Sequence, residues 1–289
     1  MQAVLILAHK DVNQIIRLTQ KLHSFFNVYI HFDKKYKILN SDQDKLKHLG
    51  ATVISEVEVN WGSWSIGEAT LNLMKLALEN EDNSFFHIIS GQDWPVVNPQ
   101  KIYNFYEHND KIYMKYDLAK NIRRSGENIL LWQKYYFNYD SINRRSFLGK
   151  VYHRLSLGLQ TLFRVDKLKK LGISLEIYHG ANWVDLPRDA VEYLVDFLPR
   201  HQNLYTMLKT GCFSDEFWMQ TILCNNDFFC QRIVKNNHRF IKWKKKYGNY
   251  PAVLDADDLN EILKGDYQFA RKFDSLHSRK LIEMLNNMR

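Results

Sequence analysis

The strongest constraint on the fold is the alternation of two hydrophobic periods over the first 120 residues. The segments AVLILAH (3–9) and NVYIHFD (27–33) are nearly continuous apolar runs, which are typical of parallel strands covered on both faces. Between them, Asp11 can cap a helix whose apolar residues recur at helical spacing. This βαβ pattern predicts an α/β fold: a Rossmann-type, mostly parallel sheet flanked by helices, with a ligand site at the carboxyl ends of the strands.

The rest of the chain continues this pattern with one interruption. Residues 120–178 are irregular, basic and aromatic, which predicts an excursion from the sheet. Regularity returns with a strong helical pattern at 186–201. The further predicted strands lie at 51–59, 85–90 and 111–117.

Composition narrows the class of protein. Hydrophobic residues make up 45% of the chain, and no unbroken apolar run reaches the roughly 18 residues of a membrane span, so we expect a soluble globular protein. The apolar run at the N-terminus is short and lacks a basic leader, which favours a buried strand over a signal peptide. The three cysteines have no CxxC spacing, so we expect neither disulfides nor a zinc cluster, and a cytoplasmic location.

The net charge of +8 favours an anionic partner: nucleic acid, acidic lipid headgroups or a phosphorylated small molecule. The basic run at 238–250 interleaves lysines with Trp243, Tyr247 and Tyr250, as in some nucleic-acid-binding surfaces. A solvated charged face is the favoured interpretation. Arg and Lys side chains of this region and of FARKFD (269–274) could instead neutralise a leaving diphosphate.

Polar residues follow the predicted strands. His9, Asp33 and Asp93 come after the first, second and fourth strand, and these strand ends converge in an open parallel sheet. Asp33 and Asp93 could therefore reach one ligand, although turn capping explains both equally well. No GxGxxG follows the first strand, no GxxxxGK[ST] occurs, and the histidines form no HExxH, so we expect no dinucleotide, no P-loop and no metal.

Two further features have an ordinary and a functional interpretation. In FSDEFWMQ (213–220), Asp215 and Glu216 are either acids of a helix start capped by Ser214, or one of them is a catalytic base. In WGSWS (61–65), the tryptophans are either core residues or the wall of a binding site, and the core is favoured. The residues alone leave both questions open.

Six segments occur in an order that resembles the Core-2/I-branching β-1,6-N-acetylglucosaminyltransferase family, which includes the peptide xylosyltransferases. The resemblance extends from about residue 3 to 274 and is weakest over 120–178. It implies a GT-A-like fold, a UDP-sugar donor, inversion at the anomeric carbon and no divalent cation. The segments are IHFDKK, WGSWSIGEATLNLM, ISGQDWPV, HGANWVDLPRDAVEYL, FSDEFWMQTIL and FARKFD.

The resemblance also implies roles for single residues. It makes Glu216 the catalytic base and places Lys272, with Arg239 as its partner, on the diphosphate. Asp215 keeps the ordinary role of an acid in the first helical turn. The other predicted contacts are His9, Asp33, Trp61, Ser63 and Asp93 for the donor, and Trp132 and Trp183 for the acceptor.

These inferences combine into one functional expectation. The chain is predicted to be a single domain, residues 1–289, with a nucleotide-binding half (1–120) and an acceptor and diphosphate half (121–289). It should transfer N-acetylglucosamine from a UDP-sugar to a glycan or lipid-linked hydroxyl in cell-surface polysaccharide synthesis. UDP-xylose, UDP-galactose or UDP-glucose is the alternative donor, and a nucleic-acid-binding module is the alternative class. We expect no nucleic-acid partner, and at most weak attraction to the inner face of a membrane.

Overall fold

The computed structural model describes residues 1–288, in which short strands alternate with helices. The strands are β1 (Gln2–Ala8), β2 (Phe26–Phe32), β3 (Thr52–Ile54), β4 (Phe85–Ser90), β5 (Asp93–Pro95), β6 (Ile112–Tyr113), β7 (Asp117–Leu118), β8 (Arg123–Arg124), β9 (Glu127–Asn128), β10 (Tyr178–His179), β11 (Asp185–Pro187), β12 (Ile233–Val234), β13 (Arg239–Ile241) and β14 (Phe269–Arg271). The helices are α1 (Val12–Leu22), α2 (Asn40–His48), α3 (Ser65–Leu78), α4 (Pro99–Tyr106), α5 (Leu131–Lys134), α6 (Phe147–Leu162), α7 (Lys167–Lys170), α8 (Arg188–Arg200), α9 (Gln202–Lys209), α10 (Trp218–Cys224), α11 (Asp227–Cys230), α12 (Leu259–Ile262) and α13 (Arg279–Asn287). Short 3₁₀ turns lie at Ala119–Asn121, Ser214–Glu216 and Ala256–Asp258.

The central sheet confirms the predicted fold class, an α/β fold with a mainly parallel sheet. Its strand order is β12-β6-β11-β4-β1-β2-β3. The pairs formed by β4, β1, β2 and β3 are parallel, as is the pair of β12 and β6. Strand β11 is antiparallel to both neighbours, β4 and β6. Strands from both predicted halves of the chain therefore share one sheet.

Strand β1 shows why the sheet forms where the apolar runs predicted it. Alternate side chains point to opposite faces of a strand, and both faces of β1 are covered. Leu5 packs in one core with Trp64, and Ile6 packs in the other with Ile15, all with at most 1% of their surface exposed. Burial of such a side chain contributes about 1.5–3 kcal/mol to stability. As predicted, Asp11 caps α1, because its carboxylate accepts from the Gln14 amide at 3.2 Å.

The third strand is much shorter than the predicted 51–59. After Ile54 the backbone leaves the sheet and bonds to side chains from the end of β2. The amides of Glu56 and Val57 donate to Nε2 of His31, and the amide of Val59 donates to the Asp33 carboxylate. The alternating pattern of EVEV therefore belongs to a segment outside the sheet, whose backbone amides bond to the side chains of His31 and Asp33.

A second sheet, in the order β13-β14-β5, carries the C-terminal part of the chain. In it Arg271 of β14 lies opposite Asp93 of β5. Because β5 directly follows the end of β4, this pairing brings FARKFD to the carboxyl edge of the central sheet. The predicted site elements thus meet at one edge.

The middle segment leaves the central sheet, as predicted. It contains the hairpin β8–β9 and the helices α5, α6 and α7. In residues 1–288, no helix combines the length and the apolar character that crossing a membrane requires.

Candidate active site

The segment FSDEFWMQ forms a 3₁₀ turn at 214–216, and α10 begins only at Trp218. Ser214 is therefore not the helix cap that the sequence predicted. Its hydroxyl donates to the carbonyl oxygen of Leu208 at 2.6 Å and lies 3.2 Å from Oε1 of Gln133. These contacts hold the turn that carries the two acids.

The two neighbouring acids lie in different surroundings. Asp215 is 6% exposed, and its Oδ1 has no hydrogen-bond partner. Burial, followed by the charge of Glu216, raises the pKa of Asp215 well above its usual range. Asp215 is therefore not an acid whose charge a helix start favours, because its buried position favours the neutral carboxylic acid.

Glu216 is the more accessible acid, with 28% of its side chain exposed. Its Oε2 accepts from Nε2 of His179 and from Nη1 of Arg124, each at 2.9 Å. Burial alone would raise the pKa of Glu216, but the hydrogen bond and charge of His179, with the Arg124 charge, outweigh it and lower the pKa. Glu216 is therefore ionised and oriented by two donors, as a general base requires before reaction.

His179 reaches Glu216 because two backbone segments approach closely. The amide of Gly180 donates to the Glu216 carbonyl oxygen at 2.8 Å. A Cβ atom at Gly180 would lie 1.8 Å from the carbonyl oxygen of Lys115, so only glycine fits there. Gly180 of the HGANW segment is therefore needed for the close approach that brings His179 to Glu216.

Arg124 reaches Glu216 from the β8–β9 hairpin. Trp132 supports this hairpin: its ring lies 6.0 Å from the Arg124 guanidinium and its Nε1 donates to Glu127 at 3.0 Å. Only 6% of Trp132 is exposed. The predicted acceptor residue Trp132 therefore lies in the wall beneath Arg124, where its polar atom already has a partner.

A cluster of four cations, which we call the basic cluster (Lys10, Arg145, Arg271 and Lys272), lies beside His9. Burial lowers the pKa of Lys272 to about 8, and the charges of Arg271, Lys10 and Arg145 act in the same direction. Burial and Lys10 likewise lower the pKa of His9 to about 4, so His9 is neutral near pH 7. Asp93 offsets part of this positive charge through Arg271, and the remaining excess of cations favours binding of a polyanion.

Arg271 links this cluster to the candidate base. Its guanidinium lies 4.0 Å from the ring centre of Trp183, and its Nη1 has no hydrogen-bond partner. Burial is the main cause that lowers the pKa of Arg271, and the charge of Asp93 and, to a smaller extent, that of Glu216 oppose it. The charges of Arg271 and Glu216 therefore interact, and the predicted acceptor residue Trp183 contacts Arg271.

Asp93 and Asp33 are held by backbone and side-chain donors. Asp93 is 1% exposed, accepts from the amide and hydroxyl of Ser90, and lies 3.4 Å from Nε of Arg271. Asp33 accepts from the amides of Lys35 and Val59. Both carboxylates therefore accept hydrogen bonds from nearby backbone amides, as the turn-capping interpretation predicted. Asp93 also orients the Arg271 guanidinium.

In the WGSWS turn, one tryptophan is a core residue and the other is exposed, as a residue in the wall of a binding site would be. Trp64 is buried, whereas 43% of Trp61 is exposed and its ring contacts Phe213 and the Arg145 guanidinium, the latter at 4.5 Å. Ser63 is 2% exposed, and its hydroxyl bonds within the turn to Asn60 and Ser65. Trp61 can therefore face a ligand, while Ser63 shapes the turn.

Arg239 does not lie where the sequence predicted. Its guanidinium is 1% exposed and forms two hydrogen bonds to Asp185, at 2.6 and 2.9 Å. The same carboxylate accepts from Tyr106 and bonds to His87. The charge of Arg239 is therefore compensated inside the protein, whereas Arg271 belongs to the basic cluster.

Sequence reasoning missed Lys10, Arg124 and Arg145. Lys10 follows His9 directly, so the strand-end argument could have found it. Arg124 and Arg145 belong to the segment where the resemblance is weakest, and no local pattern indicates that they reach the cleft.

The basic run at 238–250 is largely compensated. Lys242 pairs with Asp258 and Glu261, and Lys246 pairs with Asp255 and Asp258. These pairs remove part of the positive charge on which the nucleic-acid alternative depended. Across residues 1–288, no three His, Cys, Asp or Glu side chains gather as a set that could hold a metal ion.

Comparison with known proteins identifies the family of this chain. The family model described as Core-2/I-branching enzyme matches residues 3–263. The chain belongs to the Core-2/I-branching enzyme family. The curated relatives that match this chain are named as glycosyltransferases.

The curated relatives of this Core-2/I-branching enzyme are distant in sequence. Beta-glucuronosyltransferase GlcAT14A of Arabidopsis thaliana is 23% identical over 68% of this chain and 41% of its own length. Xylosyltransferase 2 of Homo sapiens is 24% identical over 98% of this chain and 33% of its own length. The chain thus spans less than half the length of these relatives. Among solved structures, galactosyltransferase LgtC has 9% identity and a TM-score of 0.42, over 99% of this chain and 94% of its own.

Proposed function

We propose that the protein transfers a sugar from a UDP-sugar to a glycan hydroxyl by a single displacement, with Glu216 as the base. The supporting observation is the position of Arg271. It lies beside Lys272, interacts with the Glu216 charge, and has one Nη1 without a partner. A diphosphate bound to the basic cluster would therefore lie within one cleft of an ionised carboxylate.

The proposed reaction has three parts. Glu216 accepts the proton of the acceptor hydroxyl while the acceptor oxygen forms a bond to the anomeric carbon. The bond from that carbon to the diphosphate oxygen breaks, and the diphosphate leaves with both bonding electrons. The basic cluster stabilises the charge that develops on the leaving group. One base and one displacement invert the anomeric centre.

The donor sugar and the context are also proposals. Resemblance to the N-acetylglucosaminyltransferases supports N-acetylglucosamine, whereas the names of the relatives support xylose or glucuronic acid. A panel of five UDP-sugars, carrying N-acetylglucosamine, xylose, glucuronic acid, galactose or glucose, assayed for slow donor hydrolysis, decides among them. We place the reaction in cell-surface polysaccharide synthesis, with a glycan or lipid-linked acceptor.

Substitution of Lys272 by methionine is expected to weaken UDP binding by about ten- to a hundredfold, because a hydrogen bond to a charged group contributes about 1.5–3 kcal/mol. Binding of uridine, which lacks the diphosphate, should change little. The UDP affinity of the unmodified protein should fall as the pH rises above about 8, where free Lys272 loses its proton. In Lys272→Met this pH dependence should disappear.

Calorimetric titration with UDP and with uridine, at several pH values, measures both effects. Exposed Lys264 in the same region is the matched control, and Lys264→Met should bind UDP normally. Equal loss of uridine and UDP affinity in Lys272→Met would contradict a contact with the diphosphate.

Transfer is expected to continue in excess EDTA, because we propose that the basic cluster supplies the charge stabilisation that a divalent cation provides elsewhere. The assay compares initial rates in EDTA, in buffer alone and after addition of manganese. Activity that EDTA abolishes and manganese restores would refute metal independence.

A further inference from the structure

Helix α6 exposes an apolar face that nothing in the described chain covers. Gly149 and His153 are buried and turn toward the protein. On the opposite side, Phe147 is 79% exposed, Leu155 60% and Leu159 54%. Such a row is larger than the scattered apolar residues of an ordinary surface. The residues of this α6 face are Phe147, Leu148, Val151, Leu155, Leu159, Leu162 and Phe163.

The charges of the chain segment that contains the α6 face all have one sign. Residues 141–165 contain no Asp or Glu. The cations flank the apolar row along and beyond the helix, and all except the half-buried Arg144 are exposed. The cations of this segment are Arg144, Arg145, Lys150, Arg154 and Arg164.

We propose that α6 lies in the surface of a membrane that contains anionic lipid, with the α6 face at the boundary of the acyl chains. Leucine and phenylalanine on one side of a helix and Arg or Lys beside them are the features of an interfacial helix. Its 16 residues reach about 24 Å, which suits a helix parallel to the surface. A segment that carries cations and no carboxylates complements anionic headgroups.

Two contacts connect α6 to the candidate active site. Arg145, just before the helix, lies 4.5 Å from the Trp61 ring and belongs to the basic cluster. His153 of α6 bonds to Glu127, on the same hairpin as Arg124. Membrane binding would therefore bring the cleft next to the lipid surface, where a lipid-linked acceptor presents its hydroxyl. This consequence rests on the proposed function, whereas lipid binding itself does not.

Vesicle flotation of the full chain tests the proposal without donor or acceptor. Two vesicle types are used: phosphatidylcholine alone, and equal parts of phosphatidylcholine and phosphatidylglycerol. The protein should float mainly with the second type. The double substitution Leu155→Glu and Leu159→Glu should lower the partition coefficient by about a hundredfold or more, because two apolar side chains that would be buried in the lipid are replaced by charged ones.

Leu276→Glu is the matched control, since Leu276 is 78% exposed and lies outside α6. It should float like the unmodified chain, and all variants should keep the same thermal midpoint. Absence of flotation with both vesicle types, or equal flotation of the double variant, would overturn the proposal. A dimer in solution that the double variant dissociates would also overturn it, because a second copy would then cover the α6 face.

The double variant also separates this inference from the proposed function. Transfer to a water-soluble acceptor should stay within about twofold of the unmodified rate, since neither leucine contacts the cleft. Lost flotation with retained transfer supports both ideas. Flotation without any transfer would leave membrane binding supported and remove the proposed function.

Discussion

Replacement of Glu216 by glutamine is expected to lower the turnover number by about two to four orders of magnitude, the usual contribution of a general base. Glutamine keeps the size of the side chain but cannot accept the acceptor's proton. UDP affinity should change little, because the diphosphate is expected on the basic cluster. Single-turnover transfer rates and UDP titration measure the two quantities separately.

Asp215→Asn is the natural control for this experiment. Asp215 is buried, which favours its neutral form, so an amide of the same shape should retain most of the activity. Full activity of Glu216→Gln together with an inactive Asp215→Asn would exchange the roles of the two acids. That result would refute the assignment of the base.

Replacement of Arg239 by methionine is expected to reduce the free energy of unfolding by about 3–5 kcal/mol, the cost of removing one partner of a buried ion pair. The variant leaves Asp185, which is 0% exposed, without its compensating charge. Urea denaturation measures the loss. UDP affinity should remain close to that of the unmodified protein wherever the variant is folded.

Arg200→Met provides the comparison for an exposed pair. Arg200 bonds to Asp196, and their side chains are 75% and 67% exposed, so its loss should cost about 0–1 kcal/mol. A stable Arg239→Met variant with strongly reduced UDP affinity would restore the role that the sequence predicted for Arg239. The two measurements therefore distinguish an internal ion pair from a ligand contact.

The apolar periods predicted the sheet well because burial on both faces leaves a direct trace in the sequence. Strands β1, β2 and β4 lie within one or two residues of their predicted bounds. The predicted bounds of strand β3 were wrong because the backbone of EVEV bonds to the side chains of His31 and Asp33. Those acceptors lie more than 20 residues away, and local alternation carries no information about them.

The sequence names candidate site residues but not the partners that set their charge. Glu216 was predicted as the base from a family segment, and its ionised state depends on His179 and Arg124, which are 37 and 92 residues away in sequence. Arg239 and Arg271 are both arginines of short strands. Only the folded chain shows that Asp185 binds the first through two hydrogen bonds, whereas the second keeps an Nη1 without a partner.

The antiparallel strand β11 has a consequence for how the protein is made. It is synthesised after β4 and β6, yet it lies between them in the finished sheet. Until residue 187 has left the ribosome, the facing edges of β4 and β6 have no permanent partner, and unpaired edges promote association with other chains. An inner strand of this sheet is therefore synthesised late. We expect the facing edges of β4 and β6 to be paired only when the three residues of β11 insert between them.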